Sequence, residues 1–506
     1  MHTICTRLCW TAAVLAAATA ASAQGRGGGA WTTVSGDAQR TASVRTDPKI
    51  SVASMQQPGF QFLWKRKLDA GPLSQPLLLP NIIAYKGFKA LAFVASASGG
   101  VYSIDYELNR MFWEQKLAPG RAGGAGCAAR PPAITRVTAA GPPAPGARGG
   151  GRGRGAGGPQ IANGRGGNDN LFAIAADGMV HVMNPQIGTD QIPASKFLPP
   201  AANVVGSILV DNVLYAATST GCGGTSSGVS AIDLVSDAKP VVSYDAKGAP
   251  IVGGAAPAFG TDGTLYVATG SGSSPVANAI VSLESKSLAQ KNWFSPGATP
   301  FTSQPIVFQY KGKDLVVAAN KDGSLYVLDG ASMGGADHKT ALHKSVAIAA
   351  SASAATALST WQDASGTRWI AVAIDGALAA GSKFPVSNGA VTNGALAAFT
   401  VVDQNEVPTL QPQWVSRDIA APATPAVVNG VVFALAGGAS GTGGRASRTA
   451  AAVLYALDGA SGKELWTSGT TITAPVRGVG PSAGDSQVYV AASDGTLYAF
   501  GMPAER

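Results

Sequence analysis

Helical periodicity is almost absent from this chain of 506 residues, which also has only four histidines, six glutamates and four cysteines. No stretch approaches the roughly 18 uninterrupted apolar residues of a membrane helix, so no membrane span is expected. Cys-x-x-Cys-His does not occur, which excludes an attached c-type haem module of that pattern. His338 and His343 in "DHKTALH" lack a third ligand beside them, and a solvated turn accounts for the pair better than a metal site. No Gly-x-Ser-x-Gly or phosphate loop stands out, and among 65 glycines short glycine patterns carry little information.

What is present begins with a leader. Residues 1–23 hold Arg7, the apolar run "AAVLAAATA" and Ala-Ser-Ala before Gln24, the layout of a secretory signal peptide cut near Ala23. The remaining chain, 24–506, is then expected in the periplasm or outside the cell, as a monomer. Cys5 and Cys9 leave with the leader. The even pair that stays, Cys127 and Cys222, favours a disulfide in an oxidising compartment.

The net charge of +8 suggests a nucleic-acid partner, but its location argues otherwise. Arg7 and seven arginines between 118 and 168 account for all of it. That stretch, which includes "GARGGGRGRGAGG", has little to bury and reads as a disordered Gly/Arg-rich insertion in a neutral body. Arg-Gly tracts can bind RNA, yet an exported protein rarely meets RNA, so no nucleic-acid partner is expected.

A repeat organises the rest. Short strands ending alike recur eight times: "VYSID", "VHVMN", "VSAID", "IVSLE", "LYVLD", "LAAFT", "LYALD" and "LYAFG", closing at 105, 184, 233, 284, 329, 400, 458 and 501. Each follows another apolar strand, several across an Asp-Gly turn that supplies the positive φ of a tight hairpin. Asp105 and Asp458 each stand eight positions before a tryptophan, Trp113 and Trp466, with Asn109 and Gly462 midway. Weaker copies run through Asn184, Gly188, Ile192 and through Asp233, Asp237, Val241. Asp or Asn at a strand end caps backbone N–H groups two residues on, and Gly or Asn tolerates a left-handed backbone. Periods of this size with about four strands each describe an all-β fold, an eight-bladed β-propeller of four-stranded blades. Blade eight runs out of chain, and the surplus strand "FQFLWKRKL" at 60–68 is expected to pair beside "TLYAFG" and close the ring. Trp64, Trp113, Trp293, Trp414 and Trp466 then share one place, the outermost strand, where packing between neighbouring blades is their expected role.

"ALDGASGKELW", 456–466, resembles the tryptophan-docking motif of quinoprotein repeats, with Ser461 where that motif has Thr. "WTTVSGDAQRT" resembles the N-terminal segment of pyrroloquinoline-quinone (PQQ) dehydrogenases, and "FQYKGKDLVVAANKDGSLYVLD" their interior blades. The chain is therefore similar, over about 31–501, to the PQQ-like β-propeller repeat family, whose fold serves enzymes and non-catalytic binders, including outer-membrane-assembly propellers. For the enzymes the resemblance implies adjacent cysteines over the quinone, calcium held by Glu and Asn, and an Asp base. No Cys-Cys pair exists here, and the six glutamates fall outside the loops of the expected binding face.

Function is suggested by loop asymmetry. Second-to-third strand connections are long in blades three, four, six and seven, and all open on one face, where binding residues are commonly carried. Lys383, Arg445 and Arg448 on these loops, with Arg477 expected on an innermost strand, favour an anionic small ligand or a protein partner. The sequence thus supports an exported, non-catalytic binding or scaffold module without cofactor. The alternative is a PQQ- and calcium-dependent dehydrogenase oxidising an alcohol or sugar, with Asp375 as base and Arg477 as a quinone contact.

Overall fold

The computed structural model describes residues 31–84, 87–120, 129–140, 169–219, 222–255, 257–438 and 450–503. The expected signal peptide lies outside them. Alternating apolar and small residues form short strands that assemble into eight sheets, the blades, each with four antiparallel strands from the axis outward that follow one another along the chain in every blade but the eighth. Innermost strands of successive blades touch around the ring, with Leu77–Ala84 against Ser482–Gly484 on one side and Ala133–Arg136 on the other. The fold is an eight-bladed β-propeller. Blade six gains a fifth strand, Val386–Ser387, parallel to its outermost strand. Blade seven gains Ser43–Val44 on its inner side.

Both ends of the chain close the ring. Gln61–Lys67 pairs antiparallel with Thr496–Gly501, setting Lys67 opposite Thr496 and Gln61 opposite Gly501. Blade eight thereby obtains its fourth strand, as the surplus strand in the sequence requires.

The repeated turn has the chemistry its residues dictate. The Asp458 carboxylate accepts from the Ala460 N–H at 2.8 Å, and Asn184 accepts from Gln186 at 2.8 Å. The buried Asp105 accepts from Leu108 N–H and pairs with Lys89 at 3.0 Å. Asn109, Gly188 and Gly462 all have positive φ. These turns face tryptophans of the preceding blade. Trp113 donates its indole N–H to the Pro185 carbonyl of blade two at 2.8 Å, Trp414 to Gly459 of blade seven at 2.8 Å, and Trp64 to Tyr106 of blade one at 3.1 Å. Trp466 packs edge-on against Phe500 of blade eight, while Trp293 stacks on His338 of blade five at 4.4 Å.

One sequence expectation is corrected. Residues 118–168 are not disordered throughout, because Ala133–Arg136 is the innermost strand of blade two, paired with Leu171–Ile174. Arg136 is not a solvated charge either. It is buried, donates to the Leu78 carbonyl at 2.8 Å and lies 3.5 Å from Asp169, and burial pulls its pKa down to about 10. Averaging over the Gly/Arg-rich flanks hides this four-residue run. Residues 121–128 and 141–168 lie outside the described residues.

The N-terminal segment is wound around the axis, meeting the inner edges of the blades in chain order. Carbonyls of Trp31, Thr32, Ala38, Gln39, Thr41 and Ala42 accept from the N–H groups of Leu78, Arg136, Phe259, Val307, Thr360 and Val427, at 2.8–3.0 Å. Thr33 donates its hydroxyl to the Ser207 carbonyl, and Asp47 accepts from the Ser486 N–H. Every blade is reached. Innermost strands are sheet edges, and this segment occupies backbone groups that an open channel would leave to water.

A β-carbon at Gly462 would lie 2.4 Å from the Trp414 ring, at a backbone φ of +71°. Gly462→Ala is therefore expected to destabilise the protein by about 2–4 kcal/mol, combining left-handed strain with overpacking. Chemical denaturation checks this; a loss below about 0.5 kcal/mol would mean the tryptophan contact yields freely.

Candidate functional site

A cavity of about 370 Å³ opens at the axis, lined by the N-terminal segment and by the approaches to several innermost strands. Its lining residues Gln75, Gln304, Thr424 and Gly480 come just before the innermost strands that start at Leu77, Ile306, Ala426 and Ser482. The cavity therefore opens where the chain passes from blade to blade. Second-to-third strand loops emerge on that same face.

Val34 and Ser35 of the N-terminal segment also line it. The Ser35 N–H donates to the Gln75 side-chain oxygen at 3.0 Å, and Gln304 donates to the Ser35 hydroxyl at 3.2 Å. Gln75 also donates to the carbonyls of Gly480 and Pro481 at 3.1 and 3.0 Å. Two carboxamides thus fix the segment to blades one, five and eight. The sequence offered a signal for them in its twin Ser-Gln-Pro tripeptides, 74–76 and 303–305. Both serines play one part, Ser74 accepting from the Ala95 N–H and Ser303 from the Ala319 N–H at 2.9 Å.

Positive charge sits in and beside this cavity. Arg477 is exposed and is the one formally charged residue among the described lining. It does not lie on an innermost strand as expected. That strand is Ser482–Gly484, and Arg477 belongs to the connection leading to it, outside the sheet. Beside the cavity's Val34, the fully buried Arg40 donates to the Val34 carbonyl at 2.7 Å, the Thr33 hydroxyl at 3.1 Å and the Pro257 carbonyl. Burial lowers its pKa to about 9, opposed by attraction to Asp37, so it stays charged at neutral pH. Burial raises the pKa of Asp37, while hydrogen bonds from Thr41 and the charge of Arg40 pull the other way.

The other expected site residues are dispersed. Asp375 ends the second strand of blade six, exposed and opposite Gly394, outside the cavity lining. Lys383 is exposed on the blade-six loop, which turns outward: Phe384 packs on Phe399, Val386–Ser387 lies along the outermost strand, and Asn388 donates to the carbonyls of Val415 and Ser461. Arg445, Arg448 and Cys127 lie outside the described residues. Cys222 borders a smaller cleft between blades two and three, with Arg130 and Asn203. Among the described residues no group of three His, Cys, Asp or Glu side chains is placed to hold a metal ion, and no helix is long and apolar enough to cross a membrane.

Comparison with known proteins bears on the fold. Residues 433–502 match a family model described as outer membrane protein assembly factor BamB. The whole chain resembles the quinohemoprotein alcohol dehydrogenase of Comamonas testosteroni, with a TM-score of 0.54, 14% identity, and coverage of 94% of this chain and 81% of that one. A quinohemoprotein alcohol dehydrogenase from Pseudomonas putida HK5 gives 0.58 at 12% identity over 94% and 81%, and a europium-containing methanol dehydrogenase 0.58 at 12% over 95% and 99%. No curated protein matches the sequence. At these identities the likeness is one of fold, the PQQ-like eight-bladed propeller.

Asp37→Ala should remove the hydrogen bonds that Asp37 accepts from Thr41 together with its attraction to the buried Arg40, and is expected to cost about 2–3 kcal/mol of stability. Equilibrium denaturation measures it. A change under about 1 kcal/mol would show that the neutral acceptors around Arg40 suffice by themselves.

Proposed function

We propose that this chain is an exported, monomeric, non-catalytic binding module that takes a small anionic ligand at the axial cavity of its long-loop face. One observation carries the reading: the described lining combines a free-standing guanidinium, Arg477, with carboxamides, hydroxyls and backbone, and contributes no carboxylate. Buried Arg40 adds positive potential from below. A concave site with a few convergent polar groups on a rigid scaffold is the usual form of a small-molecule site. In this reading the chain works without cofactor, and it meets neither nucleic acid nor a membrane span.

The likeness to alcohol dehydrogenases over 94% of the chain favours a second reading, a PQQ-dependent oxidoreductase. The residues around the cavity fit that cofactor poorly. Calcium takes six to eight oxygen ligands, commonly including carboxylates, and the described lining offers none. Asp375, the base this reading would use, stands outside the cavity. We derive no catalytic step from it.

We also assign Cys127 as the partner of Cys222; Cys222 is disulfide-bonded, which supports the pairing. Peptide mapping without reductant should recover the two joined, and recovery of Cys127 as a free thiol would overturn the assignment.

Thermal denaturation with a panel of mono- and dicarboxylates tests the function. A ligand at a hundred times its Kd stabilises the folded state by about 2.7 kcal/mol, so a true ligand should raise Tm measurably. Arg477→Gln should abolish that rise while leaving the Tm of the free protein unchanged, since the side chain is exposed. Absence of any rise across the panel sinks the anion reading. Stoichiometric uptake of PQQ with calcium, together with dye-linked alcohol or sugar oxidation lost in Asp375→Asn, would replace it with the oxidoreductase.

A further inference from the structure

Three arginines are buried among the described residues, and two of them are supplied with acceptors. Arg40 donates to two carbonyls and a hydroxyl, and Arg136 to the Leu78 carbonyl beside Asp169. Arg368 is the exception. It is only 7% exposed, yet among the described residues its guanidinium makes no hydrogen bond and no ion pair, and its Nε is sealed from solvent without a partner. The terminal nitrogens keep a narrow opening to solvent. What the group meets is the ring of Phe308 in blade five, 5.2 Å from the centroid. A ring face offsets only part of the cost of burying a cation.

A second arginine stands on the same face. Arg368 opens the second strand of blade six, Arg368–Asp375, directly after the turn in which Asp363 N–H donates to the Thr367 carbonyl. Arg45 follows Val44, which lies beside Val428 and accepts from the N–H of Asn429, in the turn between the first two strands of blade seven. Both arginines therefore sit at the first-to-second strand turns, on the face opposite the axial cavity. The Thr41 carbonyl, accepting from Thr360 N–H, ties their two elements together. Arg45 is exposed and likewise has no hydrogen-bond or ion-pair partner among the described residues.

The two charges oppose each other. Burial first, and then the charge of Arg45, pull the Arg368 pKa down to about 10, against an attraction to Asp37. Carboxylates of the region are committed elsewhere. Asp37 accepts twice from Thr41, Asp363 accepts from Ser365, Thr367 and the Trp369 indole, and Asp403 pairs with Lys311.

We propose that Arg368 and Arg45 form a second anion site, which takes a small divalent oxyanion of the phosphate or sulfate class. Guanidinium forks match such oxygens with paired N–H donors. Two arginines offer two charges, which a divalent ion balances and a monocarboxylate does not. The ion supplies the acceptors that Arg368 lacks and bridges blade six to the N-terminal segment, so its binding stabilises the folded ring. This site stands apart from the axial cavity and does not depend on what that cavity binds.

The test is thermal denaturation of the whole chain at neutral pH while inorganic phosphate, sulfate or acetate replaces chloride at constant ionic strength. Phosphate and sulfate should each raise Tm to a plateau, and acetate should raise it far less. Arg368→Met keeps much of the side chain's bulk without its charge. It should weaken phosphate tenfold or more, and its Tm in chloride should equal or exceed that of the unaltered chain, because an unpaired buried charge is gone. Arg45→Gln, at an exposed position, should weaken phosphate in the same way with Tm in chloride unchanged, which keeps the proposal testable should the Arg368 variant misfold. Arg477→Gln should leave the phosphate response intact, separating this site from the axial cavity. The proposal is overturned by the absence of a phosphate response in the unaltered chain, by an equal response to acetate, or by a response that survives both Arg368→Met and Arg45→Gln. Loss of the response in Arg477→Gln also overturns it, placing the ion in the axial cavity. A lowered Tm of Arg368→Met in chloride with the phosphate response kept does so too, leaving Arg368 a packing residue against Phe308.

Discussion

Eight blades set around an axis leave eight innermost strands, each with a row of backbone groups turned toward the centre. Leaving those groups unpaired in a narrow channel would be costly, and the structure depends on how this is resolved. Residues 31–47 bring at least one hydrogen-bonding group to every blade, mostly carbonyls that accept from inner-strand N–H groups. That single segment ties blades far apart in sequence to one common strand of chain. It also determines where the cavity lies, because Ser35 and Val34 fill the axis up to the point where Gln75 and Gln304 hold them.

Charge within this plug follows from the same constraint. A chain wound inside a ring of backbone donors presents many carbonyls, and among the described residues Arg40 donates to the Val34 and Pro257 carbonyls and to the Thr33 hydroxyl. Its attraction to Asp37 offsets part of a large desolvation cost. Arg136 in blade two is held likewise, donating to the Leu78 carbonyl of blade one with Asp169 at 3.5 Å. Both buried arginines act as cross-braces between elements distant in sequence.

Much of the architecture was legible in the residues. The recurring strand ends marked eight blades, the tryptophans at 64, 113, 293, 414 and 466 marked the outermost strands, and the missing fourth strand of blade eight pointed to 60–68. These signals are periodic, so each copy reinforced the others. The strand Ala133–Arg136 was hidden because four residues cannot outweigh the Gly- and Arg-rich flanks in a composition window. "APVRGVGP" alternates as a strand does and so suggests an innermost strand at Arg477, yet the sheet begins only at Ser482. The plug was least legible of all. Its contacts run mainly through backbone carbonyls, which every residue possesses, so its side chains say little about which blades it meets. Gln75 and Gln304 could have been found from their shared Ser-Gln-Pro, a repeat of three residues easily lost beside longer ones.

The ring closure also imposes an order in time. Lys67 and Gln61 pair with Thr496 and Gly501, and Asp47 binds Ser486, so the first described residues and nearly the last ones complete the same blade. During synthesis, the earliest part of the chain emerges more than four hundred residues ahead of its partners. Until those arrive, the surplus strand has no neighbour and the plug has no complete ring to occupy. Blades can form one after another as each hairpin appears, since their pairings are local, but the final locking step waits for the C-terminal strand. A chain released even a few residues short of Thr496 would hold seven blades' worth of structure and no means of closing it, with the exposed edges that invite association.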